Sequence, residues 1–474
     1  MPVRIDHSPL HMLLARKGFP FAALTVLAVI AYVLLNQQGP EGLSNNGWQA
    51  LIVFGVCLIL WVTQLLPHSV TSLLGLALLP LLGVLPADQA YSMFGNSAVF
   101  FILGAFMLAA GVMKTGLSEH LALALIDKVG LGPKRLLLAM LLLPALFAAF
   151  MPEHAVVAVM LPIAWEIVRG LKLNAGHRYA QALFLALAWG AIIGGVTTLL
   201  GGARGPLALA LVEELTGQTF SFADWTIAAL PLVIAMLVVA TLVLLLLVPF
   251  EGLDIQAARE RIEKRRLELG QLSAQGYLMG LLLLGTVMTW IIAGHQLGLA
   301  SIALVSVVMM FALRLVTWKA VEKHVDWGVV LMYGGAIAIG KALTVTGAAS
   351  WLAHAFIPAG MGGLALLALL ALVTLLMTEA VSNAAAVAIL LPVAMSAGIS
   401  AGIDPITVAL AIGVIAGFAF MLPMGTPPNA MVFGTGYVES LAMLRYGAIL
   451  SVSALLFFIL LVWAWWPVAG FGIG

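Results

Sequence analysis

Long apolar segments recur along almost the whole chain. Each is close to the length of about 20 residues that an α-helix needs to cross a bilayer. The clear ones cover 19–35, 48–66, 69–85, 98–113, 179–200, 225–249, 275–293, 298–317, 327–343, 403–422 and 445–466. Only 9% of the residues are charged, against about 25% in an average soluble domain. The sequence therefore predicts an all-α polytopic membrane protein with about 11 transmembrane helices.

Composition and short motifs exclude several function classes. The formal net charge of +1 argues against nucleic acid as a partner. The single cysteine, Cys57, cannot form a disulfide framework or a cysteine-based metal site. The sequence has no Gly-rich phosphate-binding motif, and Glu153-His154 is not part of a zinc-binding HExxH motif. We therefore expect neither an enzyme nor an ATP-driven pump, and no cofactor.

Basic residues are concentrated in a few loops, and their distribution predicts the orientation in the membrane. Arg16 and Lys17 precede the first apolar segment, whereas the loop 36–47 that follows it has no Lys or Arg. Cytoplasmic loops carry an excess of these residues, so we expect a cytoplasmic N-terminus and a location in the cell (inner) membrane. No small-residue cleavage pattern closes the first segment, which favours a retained helix over a signal peptide.

Two parts of the chain resemble each other at a nearly constant offset. Thr115-Gly116 recurs as Thr346-Gly347 after 231 residues, and a later Leu-Pro pair recurs after 230. We therefore predict two repeats, which are inverted if an odd number of spans separates them. The predicted divisions are an N-terminal segment with the first helix, the first repeat, a polar cytoplasmic or interfacial connector and the second repeat, at 1–47, 48–250, 251–272 and 273–474.

Each repeat contains a long apolar stretch that polar residues interrupt near its middle, at 136–168 and 362–398. We predict that both form hairpins. In the second stretch Ser382-Asn383 precedes an apolar helix, and Ser is a favoured N-cap residue. A helix that begins inside the membrane directs unpaired N–H groups and a partial positive charge at its surroundings, which suits an anion.

A second polar cluster, Gly-Thr-Pro-Pro-Asn at 425–429, follows the second hairpin. Pro427 and Pro428 cannot continue a helix, so they leave carbonyl groups unpaired. Carbonyl, amide and hydroxyl oxygens are neutral ligands that suit Na⁺. Together the two clusters predict a cavity that binds an anion and a sodium ion.

These motifs are similar to those of the divalent anion/sodium symporter family, whose members carry dicarboxylates, citrate or sulfate. The residues that carry the resemblance are 61–67 (WVTQLLP), Thr378-Glu379, Ser382-Asn383 and 425–429, and it extends from about residue 48 to the C-terminus. The resemblance implies a homodimer in the lipid bilayer, re-entrant hairpins, and a transport part that moves like an elevator. It implies Na⁺ as the coupling ion, with Ser382, Asn383, Gly425 and Asn429 as ligands. The implied substrate residues are Ser382, Asn383, Thr426 and Pro427, to which we add Thr198 and Arg204 from the first repeat.

The first repeat departs from the family pattern. Pro152-Glu153-His154 stands where the second repeat has Ser382-Asn383-Ala384, and Arg204 lies in the segment that corresponds to 425–429. A charged side chain at the membrane midplane costs at least ~2.5–3.5 kcal/mol, so Glu153 and Arg204 are predicted to pair.

Several roles remain open for these charges. Arg204 takes the place of a sodium ion, binds the substrate through its planar fork of donors, or only holds the hairpin together with Glu153. His154, with Glu153, is also a candidate proton carrier. We therefore expect a transporter of small divalent anions, dicarboxylate before sulfate or a similar oxyanion, with fewer coupled sodium ions than its relatives. The alternative is a proton-coupled or uncoupled exchanger, or a channel, on the same scaffold.

Overall fold

The computed structural model describes residues 10–129, 132–248, 250, 253, 255–358 and 360–472. Within these ranges the chain forms helices, turns and irregular segments, and no strand. The expected all-α fold is thereby confirmed. Among the described residues, eight helical segments are long and apolar enough to cross a membrane, and six apolar helices are shorter.

The described residues of the first half of the chain form twelve α-helices. They are α1 (Leu10–Leu35), α2 (Asn45–Thr63), α3 (His68–Leu81), α4 (Ala87–Ser92), α5 (Ser97–Lys114), α6 (Leu117–Val129), α7 (Pro133–Ala148), α8 (Glu153–Gly170), α9 (Arg178–Gly194), α10 (Arg204–Thr216), α11 (Phe222–Leu247) and α12 (Ile255–Leu269). A 3₁₀ turn, Met93–Gly95, follows α4.

In the second half, the part of the chain that the structure describes forms ten more. They are α13 (Ala274–Leu297), α14 (Leu299–Ala312), α15 (Trp318–Glu322), α16 (Trp327–Val345), α17 (Ala348–Phe356), α18 (Gly363–Ala380), α19 (Asn383–Ser400), α20 (Pro405–Ile415), α21 (Pro427–Phe433) and α22 (Ser440–Leu460). A π-helical turn, Leu461–Trp465, extends α22.

Two of the predicted spans are not continuous helices. The predictions for 179–200 and 403–422 were wrong in this respect, because α9 ends at Gly194 and α20 ends at Ile415. After α9 the backbone folds back so closely that a Cβ atom on Gly201 would clash with the backbone of Gly195. Residues 195–203 and 416–426 are therefore irregular backbone, and each segment leads into another helix.

The internal repeat is visible in the packing. Helix α3 of the first half packs on α16 of the second half, and α14 of the second half packs on α5 of the first half. At the two contacts Gly104 meets Ala303 and Gly335 meets Ser72, and both pairs are related by an offset of 231. The two halves thus make the same close helix contact twice.

Each hairpin consists of two helices joined by a short break. Helices α7 and α8 are joined at 149–152, and α18 and α19 at 381–382. The backbones of α7 and α9 approach so closely that Gly190 and Gly194 leave no room for a side chain. Helix α10 packs on both α19 and α20, which brings parts of the two repeats together.

The polar connector contains α12, and residues 251, 252 and 254 lie outside the described residues. Helix α12 packs on α8 and α6. Its Arg261 lies 3.2 Å from Glu166 on α8, and Arg265 lies 2.7 Å from Glu119 on α6. The connector is therefore attached to the first repeat by two ion pairs and by the packing of α12 on α8 and α6.

Candidate functional site

The tip of the second hairpin has the cap geometry that the sequence predicts. Ser382 is the N-cap of α19, and its hydroxyl accepts a hydrogen bond of 3.3 Å from the backbone N–H of Ala385. The side-chain oxygen of Asn383 lies 2.6 Å from the hydroxyl of Thr378 on the other leg. That hydroxyl also lies 2.8 Å from the carbonyl oxygen of Ala416, where α20 has just ended. The tip is thus linked to the irregular segment 416–426.

Thr426 and Asn429 form a second cap at the end of this segment. Thr426 is the N-cap of α21 and accepts a hydrogen bond of 3.3 Å from the backbone N–H of Asn429. The amide nitrogen of Asn429 donates to the carbonyl oxygens of Ala419 and Leu422, both at 3.1 Å. Its amide oxygen is buried and accepts no hydrogen bond from the described residues. A buried amide oxygen without a donor is a suitable ligand for a sodium ion.

Glu379 organises the irregular segment of the second repeat from the end of α18. Its carboxylate accepts hydrogen bonds from the backbone N–H groups of Phe420, Met421 and Leu422 at 2.7–3.0 Å. The hydroxyl of Ser451 donates to it at 3.3 Å. The charge of Glu379 is therefore satisfied by N–H and O–H donors behind the hairpin tip.

The tip of the first hairpin carries the predicted ion pair. Arg204 Nη1 lies 3.3 Å from Glu153 Oε2, and the two residues are 2% and 5% exposed. Glu153 is the first residue of α8, and Arg204 is the first residue of α10. The backbone N–H of Glu153 donates to the carbonyl oxygen of Gly201 at 2.9 Å, which fixes the tip to the irregular segment 195–203.

The guanidinium of Arg204 also touches the second repeat. A Cβ atom on Gly417, in the segment 416–426, would lie only 2.5 Å from Arg204 Nε. The hydroxyl of the buried Tyr333 donates to the carbonyl oxygen of Ala203, just before α10. Arg204 Nε and Nη2 make no hydrogen bond to the described residues. The pair with Glu153 therefore leaves part of the donor fork unused.

The residues at which the helices begin refine the alignment of the two repeats. Pro152 and Ser382 are the N-caps of α8 and α19, as the offset of 230 requires. Ala203 and Thr426 are the N-caps of α10 and α21, so Arg204 corresponds to Pro427. In the sequence alone, 201–205 aligns with 425–429 and Arg204 with Pro428, so the structure moves this match by one residue.

Both hairpin tips face one cavity of about 370 Å³. From the tips and the helix starts beside them it is lined by Pro152, Glu153, His154, Arg204, Ser382, Asn383, Ala384 and Pro427. Thr198, Gly425, Thr426 and Asn429 are absent from its lining. The hydroxyl of Thr198 instead donates to the carbonyl oxygen of Ala149 at 2.6 Å.

The opposite wall contains residues that sequence reasoning missed. It includes His68 and Ser69 at the start of α3, and Asp326, the N-cap of α16. Asp326 lies 230 residues after Asn96, the N-cap of α5, so the repeat offset was a usable signal for it. The cavity therefore contains two carboxylates, one guanidinium and two imidazoles from described residues.

Comparisons with known proteins agree with this architecture. The model of a family described as the sodium:sulfate symporter transmembrane region matches residues 20–471. A sodium-dependent dicarboxylate transporter, SdcS, from Staphylococcus saprophyticus is 27% identical over 452 residues, which cover 90% of this chain and 87% of the relative. The SdcS of Staphylococcus aureus is 26% identical over 492 residues, covering 96% and 94%.

Two solved transporter structures share the fold at low sequence identity. MtrF of Neisseria gonorrhoeae, described as one of a class of antimetabolite efflux pumps, has a TM-score of 0.55, 14% identity, and coverage of 96% of this chain and 95% of its own. The YdaH transporter of Alcanivorax borkumensis has a TM-score of 0.55, 15% identity, and coverage of 90% and 100%.

The family match covers nearly the whole chain, and the curated relatives are transporters rather than enzymes. The expected family is thereby confirmed, and the chain belongs to the sodium:sulfate symporter family, the divalent anion/sodium symporters.

Proposed function

We propose that this protein is a sodium-coupled secondary transporter of a small divalent anion in the cell (inner) membrane. A dicarboxylate is the first candidate, because the relatives are named sodium-dependent dicarboxylate transporters. Sulfate or a similar oxyanion is the second, because the family model is named for sulfate. A cavity of about 370 Å³ between two hairpin tips has room for either anion.

The second repeat supplies the proposed sodium site. Its ligands are Ser382, Asn383, Gly425 and Asn429, and the amide oxygen of Asn429 is the buried acceptor that lacks a donor. Neutral oxygens around irregular backbone suit Na⁺, because each lone pair can be directed at the ion.

The anion occupies the cavity between Ser382, Asn383 and Arg204. Helix α19 begins at this wall, so its free N–H groups and partial positive charge favour an anion there. Pro427, also in the lining, starts α21 beside the N-cap Thr426. We place Thr426 and Thr198 behind the wall, where they hold the irregular segments and contact substrate only if the hairpins move.

In the first repeat Arg204 replaces a sodium ion. The observation that carries this proposal is the buried pair of Arg204 with Glu153 at 3.3 Å, at the hairpin tip that corresponds to Ser382-Asn383. A fixed guanidinium supplies positive charge without an ion from solution. Transport should therefore be coupled to fewer sodium ions than in relatives with neutral residues at both tips.

The quaternary structure, the topology and the transport motion are proposed from the family resemblance. We propose a homodimer with inverted repeats, re-entrant hairpins, a cytoplasmic N-terminus and a transport part that moves like an elevator. The discontinuous helices α9–α10 and α20–α21 support this, because broken helices in corresponding places mark the substrate site of such transporters.

Proton-coupled or uncoupled anion exchange is the second candidate. His154 lines the same cavity as Asp326 and His68, and histidine is the side chain that ordinarily titrates near neutral pH. In that case His154 and Glu153 carry protons in place of a second sodium ion.

Uptake into proteoliposomes tests the proposal. The purified protein is given labelled succinate or, in parallel, labelled sulfate under a Na⁺ gradient, then a pH gradient, then with the same unlabelled anion inside as the only driving force. Sodium-driven uptake is the expected result. Uptake in the second or third condition without sodium stimulation supports the second candidate, and no succinate or sulfate uptake in any condition contradicts both.

A further inference from the structure

A second polar cavity lies at the end of the bundle that also holds α12. It has a volume of about 220 Å³ and is enclosed by the start of α9, the end of α11 and the start of α22. The polar residues in its wall are Arg178, Gln181, Glu439, Arg445 and Tyr446. The hydroxyl of Tyr437 donates to the carbonyl oxygen of Leu173, which joins the two loops beside it. The cavity is separate from the one between the hairpin tips.

The charges around this cavity are not paired with each other. Arg178 and Arg445 form no ion pair within the described part of the chain, although Glu439 lines the same wall. Two guanidinium groups and one carboxylate give the wall a formal charge of +1. This charge matches the single negative charge of a phosphodiester.

Gln181 adds a donor that the protein does not use. Its amide nitrogen is buried and makes no hydrogen bond to the described residues. A buried donor without an acceptor is costly, so such groups ordinarily have a partner. An oxygen atom of a bound group would supply the missing acceptor.

The surroundings favour a lipid over a soluble ligand. Leu441, which lines the cavity, is 54% exposed, and Leu444, one turn further along α22, is 43% exposed. Helices α11 and α22, which both line the cavity, are long and apolar enough to cross the membrane. Arginine side chains near such helix ends extend to the level of the lipid headgroups.

We propose that this cavity binds the phosphate of an anionic phospholipid, held by Arg178, Arg445 and Gln181. The acyl chains lie along the exposed Leu441 and Leu444 of α22. By the charge distribution of the loops, the site lies in the cytoplasmic leaflet, where anionic lipids attract basic residues. The proposal concerns binding alone and does not depend on what the protein transports.

Native mass spectrometry of the detergent-purified protein tests the proposal. The probe is phosphatidylglycerol, with phosphatidylcholine of the same chain composition as the neutral reference. The double variant R178Q/R445Q should lose about tenfold or more of its affinity for phosphatidylglycerol, with its affinity for phosphatidylcholine unchanged. The matched control is K172Q/R259Q, which removes two charges at the same end of the bundle but outside the cavity, and it should bind like the wild type.

Two further arms keep the test decisive. Glu439→Gln removes the carboxylate from the wall and should strengthen binding, which supports the site even if the arginine variants fail to fold. Soluble glycerophosphoglycerol, the phosphodiester headgroup without acyl chains, should bind far more weakly than the lipid. Equal binding of this soluble phosphodiester would overturn the lipid source, and equal losses in the two double variants would overturn the site.

Discussion

The two hairpin tips place a carboxylate in different positions relative to the cavity. In the second repeat Glu379 lies behind the tip, where backbone N–H groups of 420–422 satisfy its charge. In the first repeat Ala149 stands at the corresponding position, 230 residues earlier, and the carboxylate of Glu153 lies at the tip itself. At the first tip the charge of Glu153 is therefore balanced by Arg204. The oxygens at the second tip are neutral, and we propose that they bind a sodium ion.

The irregular segments are held in correspondingly different ways. In the second repeat the hairpin supplies the acceptor, the carboxylate of Glu379. At the position of the first repeat that corresponds to Glu379, the hydroxyl of Thr198 donates to the carbonyl oxygen of Ala149. At this position the connection is thus made by hydrogen bonds to a carboxylate in one repeat and by a hydrogen bond between neutral groups in the other.

The largest expected effect is that of Arg204→Ala. It leaves the carboxylate of Glu153 buried without its partner, which typically costs ~3–5 kcal/mol, and it removes the positive charge from the first tip. We expect a large loss of thermal stability and of transport. The double variant Glu153→Gln/Arg204→Gln removes both charges and should recover stability without recovering transport. Stable and fully active Arg204→Ala protein would show that the ion pair is needed neither for stability nor for transport.

Glu379→Gln should have the next largest effect. It replaces the charged acceptor of three backbone N–H groups by a neutral amide, and hydrogen bonds to charged groups are worth ~1.5–3 kcal/mol each. Since these bonds shape the segment that leads to Asn429, the sodium concentration for half-maximal uptake should rise. Titration of uptake with Na⁺ measures this concentration. An unchanged value would show that Glu379 does not influence sodium binding.

Gly417→Ala tests the contact of Arg204 with the second repeat. The new Cβ atom would lie 2.5 Å from Arg204 Nε, so either the guanidinium or the segment must move. Overpacking of this kind costs ~1–3 kcal/mol, and transport should fall with it. Gly55→Ala, where a Cβ atom meets nothing within 4 Å, is the control and should be neutral or stabilising.

Thr198→Val should have the smallest effect of this series. It removes two hydrogen bonds of the hydroxyl, one to the carbonyl oxygen of Ala149 and one from the backbone N–H of Leu200. Each is worth ~0.5–1.5 kcal/mol, and no charge changes. We expect a small decrease in thermal stability and an unchanged sodium dependence. A change in sodium dependence as large as that of Glu379→Gln would mean that the two irregular segments contribute equally to coupling.

Local and repeated features of the site could be predicted from the sequence. The N-cap Ser382 follows from the chemistry of helix starts, and the offset of 230 correctly paired Pro152 with Ser382. The contact between Glu153 and Arg204 followed from the cost of two isolated charges in an apolar region. These inferences needed only short-range rules and the internal repeat.

Features that depend on tertiary packing could not be predicted in the same way. Glu379 finds its partners more than 40 residues later, in the segment that begins where α20 ends at Ile415. Asp326 and His68 reach the cavity only because α16 and α3 pack across the two repeats. Their positions in the cavity can be predicted once it is known that α3 packs on α16.

The most direct test is the ratio of Na⁺ to dicarboxylate transported. Labelled sodium and labelled succinate fluxes are measured in parallel in proteoliposomes that contain this protein or the SdcS of Staphylococcus aureus. If Arg204 supplies a positive charge that a sodium ion supplies in the relative, this protein should move fewer sodium ions per succinate than the relative under the same gradient. Equal ratios in the two proteins would contradict the proposal that an arginine stands in for a sodium ion.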